Sequence, residues 1–502
     1  MSMPPDEGGA GEAPPGRDLH QRARHAIRLL LGRQAVLQVL ALGVGVIVAR
    51  ILGPGPLGVF GIAAFVIALA GLVADLGMRT ALIQQAGPVS EQQLVTCFAM
   101  QQLLVTLLVG LLFLSAPAVA SIYERAPPEL AWIIRLLALD LYLRSWRSMS
   151  EIRLERELRY RELAVSDIAG SSAFQVVAVG LVLAGQGVES LAFAMLTGNV
   201  VRIALLRRAG PWPVRFRLHG PTLRRLLRRG LPLQASRVIG QAPGWITPTL
   251  VAGLIGPEAV GLLTWAATLG RKPLELLDNV VRVSLPHFAR LQHDVSEVEH
   301  VLVRYAVASL LACGLWLAVI AIAGHDLVEL IYTERWLPAM PALILYAGSA
   351  MIASVHGLAS AALIGIGRAH LTARVSAVAA LVAIVTSIAL VLRIGIVGVP
   401  LGQLAGTLVA TPWLLQGLRS GAPARLLRGA LGGLVPLGVG TAAGALCLLL
   451  PAPGAVRGLV AAAVIGGVYL ATAWRVGPAW LRGAVREELA LPALRLRRPG
   501  TP

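Results

Sequence analysis

The ionisable residues that fall inside apolar stretches are few, and their spacing invites a chemical reading. The stretch "LGRKPLELLDNVVRVSL" (269–285) carries Arg271, Lys272, Glu275, Asp278 and Arg282. Positions 271, 275, 278 and 282 are separated by 4, 3 and 4 residues, which predicts one face of one helix. "ADLGMRTAL" (74–82) places Asp75 and Arg79 four residues apart, the spacing of an intrahelical ion pair. "IIRLLALDLYLRSWR" (133–147) adds Arg135, Asp140 and Arg144. A charge at mid-bilayer costs at least about 2.5–3.5 kcal/mol, so each of these needs a cavity or a partner. The planar guanidinium fork can clamp two phosphate oxygens at once. A cationic, partly charge-paired cavity would therefore attract a pyrophosphate or an acidic sugar.

A structural reading stands beside the functional one for each group. The Asp-x-x-x-Arg pairs could simply staple a helix or snorkel to headgroups, and that reading is the stronger for them. Arg144 and Arg147 read as interfacial anchors. Arg135 and Asp140, five apart, favour neither account. Arg271 and Lys272 exceed the nearby acids and favour the cavity. Gln34, Gln38, Gln234 and Gln241 could hydrogen-bond sugar hydroxyls, or pair between helices.

Covalent chemistry has no comparable footing. No GxxxxGK[ST] loop, HExxH pair or nucleophile elbow occurs, so nothing points to an enzyme, a bound cofactor or a metal. Cys97, Cys313 and Cys447 lie far apart in apolar surroundings with no CxxC pair, as small core residues do.

The elements that must position these charges follow from composition. The 502 residues are 56% hydrophobic and only 14% charged, far from the soluble globular range. Runs near the length needed to cross a bilayer recur throughout, for example 103–120, 310–324 and 375–392. They predict an all-α polytopic membrane protein with about fourteen spans. Expected spans are 33–52, 57–74, 94–115, 130–149, 163–184, 187–206, 231–255, 260–284, 302–323, 338–363, 372–393, 396–417, 427–450 and 456–475. Prolines 232, 243, 248, 273 and 400 lie in or near spans and should bend them.

The formal net charge of +18 does not imply nucleic acid, because the arginines cluster in short connectors. The N-terminal flank, the connector at 144–161 and the connector at 202–229 are rich in them. Alternate connectors carry about one each: Arg50, Arg125, Arg335, Arg393 and Arg457. The positive-inside rule then predicts both termini and the 202–229 connector on the cytoplasmic side of the membrane. The basic connectors are also suited to anionic lipid. The Pro/Gly-rich start reads as a disordered tail and not as a cleaved signal.

An internal repeat organises the spans. Shifted by 203 residues, "VARILGPGPLGVFGIAAF" (48–65) lies on "VAGLIGPEAVGLLTWAAT" (251–268) without a gap. Gly53-Pro54 falls on Gly256-Pro257, Gly58 on Gly261, Asp75 on Asp278, Arg79 on Arg282 and Gln38 on Gln241. Six spans separate the copies, so they are parallel repeats, the pattern of two bundles rocking about a cavity. The expected division is a tail at 1–28, a first six-helix bundle at 29–206, a basic linker at 207–230 and a second bundle at 231–418. An appended helix pair at 419–476 and a tail at 477–502 complete it.

The stretches "VARILGPGPLGVFGIA", "LERELRYRELAVSDI" (154–168), "LLRRGLPLQASRVI" (226–239), "LPHFARLQHD" (285–294), "ERWLPAMPAL" (334–343) and "IGIVGVPLGQLAG" (394–406) resemble the Wzx-type polysaccharide transporters. These are lipid-linked oligosaccharide flippases of the multidrug/oligosaccharidyl-lipid/polysaccharide exporter superfamily. The resemblance runs from about residue 30 to residue 420. It implies a flippase that carries undecaprenyl-pyrophosphate-linked repeat units across the inner membrane by alternating access, without ATP hydrolysis. A proton or sodium ion as coupling ion, and contact with a polysaccharide polymerase and chain-length machinery, are further implications. Family members often show an Asp and an Arg where this chain reads "WITPTLVAGLIGP" (245–257). The rival readings are a multidrug/cation antiporter, a lipid-linked peptidoglycan precursor flippase and a membrane oligosaccharide polymerase. A polymerase should show a large outer loop, and the longest expected on that side is about 14 residues.

Overall fold

The computed structural model describes residue 38 and residues 41–85, 87–212, 214–275, 295–418 and 422–476. Among these residues every regular element is helical. Hydrocarbon leaves the backbone no other partner for its own N–H and C=O groups than itself. In chain order the helices are α1 (Ala41–Leu52), α2 (Pro54–Asp75), α3 (Met78–Ile83), α4 (Glu91–Ser121), α5 (Glu129–Arg156), α6 (Tyr160–Leu183), α7 (Glu189–Ala209) and α8 (Gly220–Gln241). They continue with α9 (Ala252–Leu254), α10 (Pro257–Gly270), α11 (Val295–Ile331), α12 (Met340–Gly365), α13 (Ala369–Ile394), α14 (Gly398–Gln416), α15 (Ala422–Cys447) and α16 (Gly454–Val476). Among the described residues, eight stretches are long and apolar enough to cross a membrane. The chain is an all-α, multi-pass membrane protein.

The breaks between helices follow the Gly and Pro signals. Gly53 (φ 77°) and Gly256 (φ 117°) take backbone angles that a side chain disfavours, and Pro54 and Pro257 then open α2 and α10 with a pre-set φ. The segment expected as one span over 231–255 is not one helix. It passes from α8 through a 3₁₀ turn (Ala242–Trp245) and a π turn (Thr247–Val251) into α9. Pro243 and Pro248 remove two donors from the helical ladder there, which accounts for the irregular turns.

Two compact units emerge. The first comprises residues up to Val48, Leu69–Leu114 and Ile133–Gln234. Its core is built on Phe98, which is fully buried against Trp212 (ring centroids 4.4 Å apart) and Trp146 (5.5 Å). Met149, Ile152 and Leu226 complete it. The second unit comprises Ala49–Ala68, Ser115–Trp132 and the chain from Ala235 onwards. There Val298, Leu302, Leu358 and Leu414 share one core. Tyr469 of α16 donates its hydroxyl to the Leu311 carbonyl at 2.7 Å, and Arg457 grips the buried Asp326 through two bonds of 2.8 Å.

Also within the second unit, the two Gly-Pro-x-x-x-Gly copies cross each other. A methyl group at Gly58 would stand 1.7 Å from the Pro257 carbonyl oxygen, and one at Gly261 would stand 1.9 Å from that of Pro54. Only bare backbone fits at such a crossing.

Candidate functional site

Pro273 decides the geometry around Arg271. A proline has no N–H for the carbonyl four residues back and clashes with it, so α10 stops at Gly270 and Arg271 sits at its cap. The Leu269 carbonyl, denied an N–H at position 273, accepts from the Trp316 indole at 3.2 Å. Arg271 is thereby turned towards α14 and α12. It donates to Gln403 Oε1 at 2.6 Å and lies over the ring of buried Tyr346, 5.4 Å from its centroid, an electrostatically favourable stack. Lys272 pairs with Glu275 at 2.8 Å. Arg271 and Glu275 line a cavity of about 370 Å³ with Ala267, Thr268 and Leu274. The arrangement offers one oriented guanidinium beside a carboxylate already neutralised by Lys272, at a half-polar wall, a setting that suits an anionic group attached to a larger polar body.

Of the helical face expected over 271–282, Arg271 and Glu275 share one turn, the Glu275 N–H donating to the Arg271 carbonyl at 3.3 Å. The break at Arg271 separates it from the preceding helix; Asp278 and Arg282 lie outside the described residues.

The Asp75–Arg79 staple is corrected. Asp75 ends α2, Leu76 (φ 45°) and Gly77 (φ 69°) leave the helical region, and Arg79 belongs to α3. The two therefore do not share a helical face. Gly77 is required here, since a methyl group on it would stand 2.1 Å from the Gly230 carbonyl oxygen. Arg79 reaches Glu151 at 2.5 Å and Glu155 at 2.8 Å on α5, and Arg147 shares Glu151 at 3.3 Å. Gln234 fills part of the gap left by the α2 break, donating to the Leu72 carbonyl at 2.6 Å.

The remaining groups divide between structure and wall. Arg135 donates to the Phe113 carbonyl at 3.2 Å. That carbonyl is the one Pro117 leaves open within α4, so Arg135 repairs a proline defect. Asp140 is fully buried, paired with Arg144 at 2.6 Å and accepting from the Asn199 amide. Gln38 is half-buried and helical, and Gln241 is exposed at the end of α8. The structure thus brings together Arg271, Lys272 and Glu275 locally, and draws in Gln403 and Tyr346, which sequence reasoning passed over. Glu151, Glu155 and Asn199 were missed likewise.

Several other arginines serve helix ends. Arg50 donates to the Leu330 and Ile331 carbonyls, Arg125 to Leu254 and Ile255, and Arg156 to Leu82, Ile83 and Gln85. The last carbonyls of a helix have no intrahelical donor, and a fork with five N–H groups can serve two or three at once.

An all-helical transporter-type membrane fold is shared with solved proteins. The lipid II flippase MurJ in an inward closed conformation superposes with a TM-score of 0.76 at 14% identity, covering 91% of this chain and 100% of that one. An inward-facing multidrug-resistance MATE family transporter of the MOP superfamily gives 0.60 at 18% identity, covering 81% and 98%. At sequence level the chain belongs to the polysaccharide biosynthesis protein family, which matches residues 47–341. Among its relatives, the teichuronic acid biosynthesis protein TuaB of Bacillus subtilis is 25% identical over 310 residues, 60% of this chain and 62% of that protein. The succinoglycan biosynthesis transport protein ExoT of Rhizobium meliloti is 25% identical over 308 residues, 60% of each. The lipopolysaccharide biosynthesis protein WzxC of Escherichia coli is 22% identical over 334 residues, 64% of this chain and 66% of that protein. The match thus spans a little under two thirds of the length of these relatives.

Proposed function

We propose that the chain is a flippase that moves undecaprenyl-pyrophosphate-linked oligosaccharide repeat units across the bacterial inner membrane during surface polysaccharide biosynthesis. The observation that carries the reading is Arg271, oriented by Gln403 and Tyr346 at a cavity wall, in a member of the polysaccharide biosynthesis family. Its fork suits a pyrophosphate, whose oxygens accept paired N–H bonds. ExoT, by its name a transport protein of polysaccharide biosynthesis, and the transporter fold both support movement of a substrate over chemistry on it.

In this reading two six-helix bundles, 29–206 and 231–418, rock about the cavity, with 207–230 as linker and 419–476 as an appended pair. Both termini are cytoplasmic, a proton or sodium gradient drives the cycle, and a polysaccharide polymerase receives the product. No covalent step is needed.

A flipping assay in vesicles with a fluorescent lipid-pyrophosphate oligosaccharide tests the reading. Arg271→Ala should lower transport at least tenfold, the scale of one charge-assisted clamp, with normal membrane levels. Full transport by Arg271→Ala would remove the residue from the site. Transport of a lipid-linked peptidoglycan precursor in place of oligosaccharide carriers would reassign the substrate.

A further inference from the structure

The basic start of α8 takes no part in the Arg271 cavity. Leu223, Leu226 and Leu227 pack into the Phe98 core, which turns Arg224, Arg225, Arg228 and Arg229 outward, and all four are exposed. Their spacing keeps them on one side of the helix. None has an ion-pair or hydrogen-bond partner among the described residues, whereas Arg79, Arg144, Arg147 and Arg159 all do. The first turn of α8 holds no acid to offset them, so the positive end of the helix dipole adds to the same field. Exposed Arg217, Phe216 and Leu218 lie just before the helix.

Position selects what meets this face. The helix runs unbroken from Gly220 to Gln241, and the span read from the sequence begins at Leu231. With a rise of about 1.5 Å per residue, Arg228 and Arg229 stand roughly 3–5 Å from that boundary, and Arg224 and Arg225 roughly 9–11 Å from it, a distance that long side chains bridge. The headgroup layer is about 5–7 Å deep on each side of the hydrocarbon. Arg228 and Arg229 stand within that layer and Arg224 and Arg225 reach down to it, so this unpaired row meets lipid phosphates before it meets a soluble partner.

We propose that the outward face of α8, formed by Arg224, Arg225, Arg228 and Arg229, is a binding surface for anionic phospholipid headgroups. The guanidinium forks engage the lipid phosphates. The assignment stands apart from the transport reading, since lipid retention is measured without turnover.

Native mass spectrometry of the purified full-length chain, exchanged with either phosphatidylglycerol or phosphatidylcholine, tests it. The wild type should retain phosphatidylglycerol in preference to phosphatidylcholine. Replacing all four arginines by glutamine should lower that preference by at least about tenfold, given about fivefold per arginine at an anionic surface, and replacing all four by lysine should keep it. Millimolar inorganic phosphate should not displace the lipid, because it lacks the acyl chains that hold a lipid at the hydrocarbon edge. The proposal is overturned if the glutamine variant holds phosphatidylglycerol as the wild type does, or if phosphatidylcholine binds equally well. Equal competition by soluble polyglutamate would overturn it in favour of an acidic protein partner. Should the fourfold variant fail size exclusion, the Arg224/Arg225 and Arg228/Arg229 glutamine pairs are used. Each is then expected to weaken retention several-fold, and no loss in either would be equally fatal.

Discussion

Replacing Gly58 by alanine tests the backbone crossing of α2 and α10 directly. The added methyl would stand 1.7 Å from the Pro257 carbonyl oxygen, 2.6 Å from its carbon and 3.0 Å from the Gly261 nitrogen. Real methyl carbons do not approach heavy atoms within 3.0 Å, so the helices must part by about 1.3 Å (3.0 − 1.7). Every atom in the way is main chain, and no side chain can swing aside. The expected loss is therefore about 3 kcal/mol or more, the upper range for overpacking. Gly55, on the same helix, has open space where its methyl would go, so Gly55→Ala should be neutral or stabilise by up to ~1 kcal/mol through helix propensity. Thermal unfolding of both variants, followed by size exclusion in one detergent, makes the comparison internal. The Gly58→Ala/Gly261→Ala double variant should lose less than the sum, since parting the helices for one methyl largely accommodates the other. Equal stability of Gly58→Ala and Gly55→Ala would show that the crossing is looser than described.

Two further predictions concern satisfied polar groups. Trp316→Phe leaves the Leu269 carbonyl without its indole donor and should cost about 1 kcal/mol; adding Pro273→Ala should recover part of it by restoring a backbone N–H, which a thermal-stability double-mutant cycle would read. Asp326→Asn weakens the two-bond grip of Arg457. It should cost about 1–3 kcal/mol and speed trypsin cleavage around α16, with no change in cleavage of the 41–209 segment.

Much of the architecture was legible because its signals are local and strong. Apolar runs of spanning length force helices, and Gly53-Pro54 and Gly256-Pro257 mark breaks that the backbone needs. The charged sites were harder, because their partners are not local. Arg79 was given a neighbour four residues away, yet its carboxylates lie 72 and 76 residues on. The clue was present in Gly77, which interrupts the very turn that the spacing argument assumed. A spacing argument holds only while the helix does, and the glycine inside that interval should have overruled it. Gln403 and Tyr346 carry no signal of their own, since a lone Gln or Tyr in a span reads as packing until a cation is found beside it.

The arginines that serve helix ends bear on how the chain's orientation is counted. Of the five on the charge-poor connectors, Arg50 and Arg125 are spent on main-chain oxygens and Arg457 on Asp326. Each is where it is because the folded backbone or a buried acid requires a donor there. As topogenic signals they should be discounted, which leaves Arg335 and Arg393 against the long basic connectors. The same discount falls on Arg144, Arg147, Arg153, Arg156 and Arg159 of the 144–161 connector, so the asymmetry behind the proposed orientation rests chiefly on the exposed, unpaired arginines of the 202–229 connector. A positive-inside count weighted by what each cation is bonded to would separate charges that direct insertion from charges that merely complete a helix.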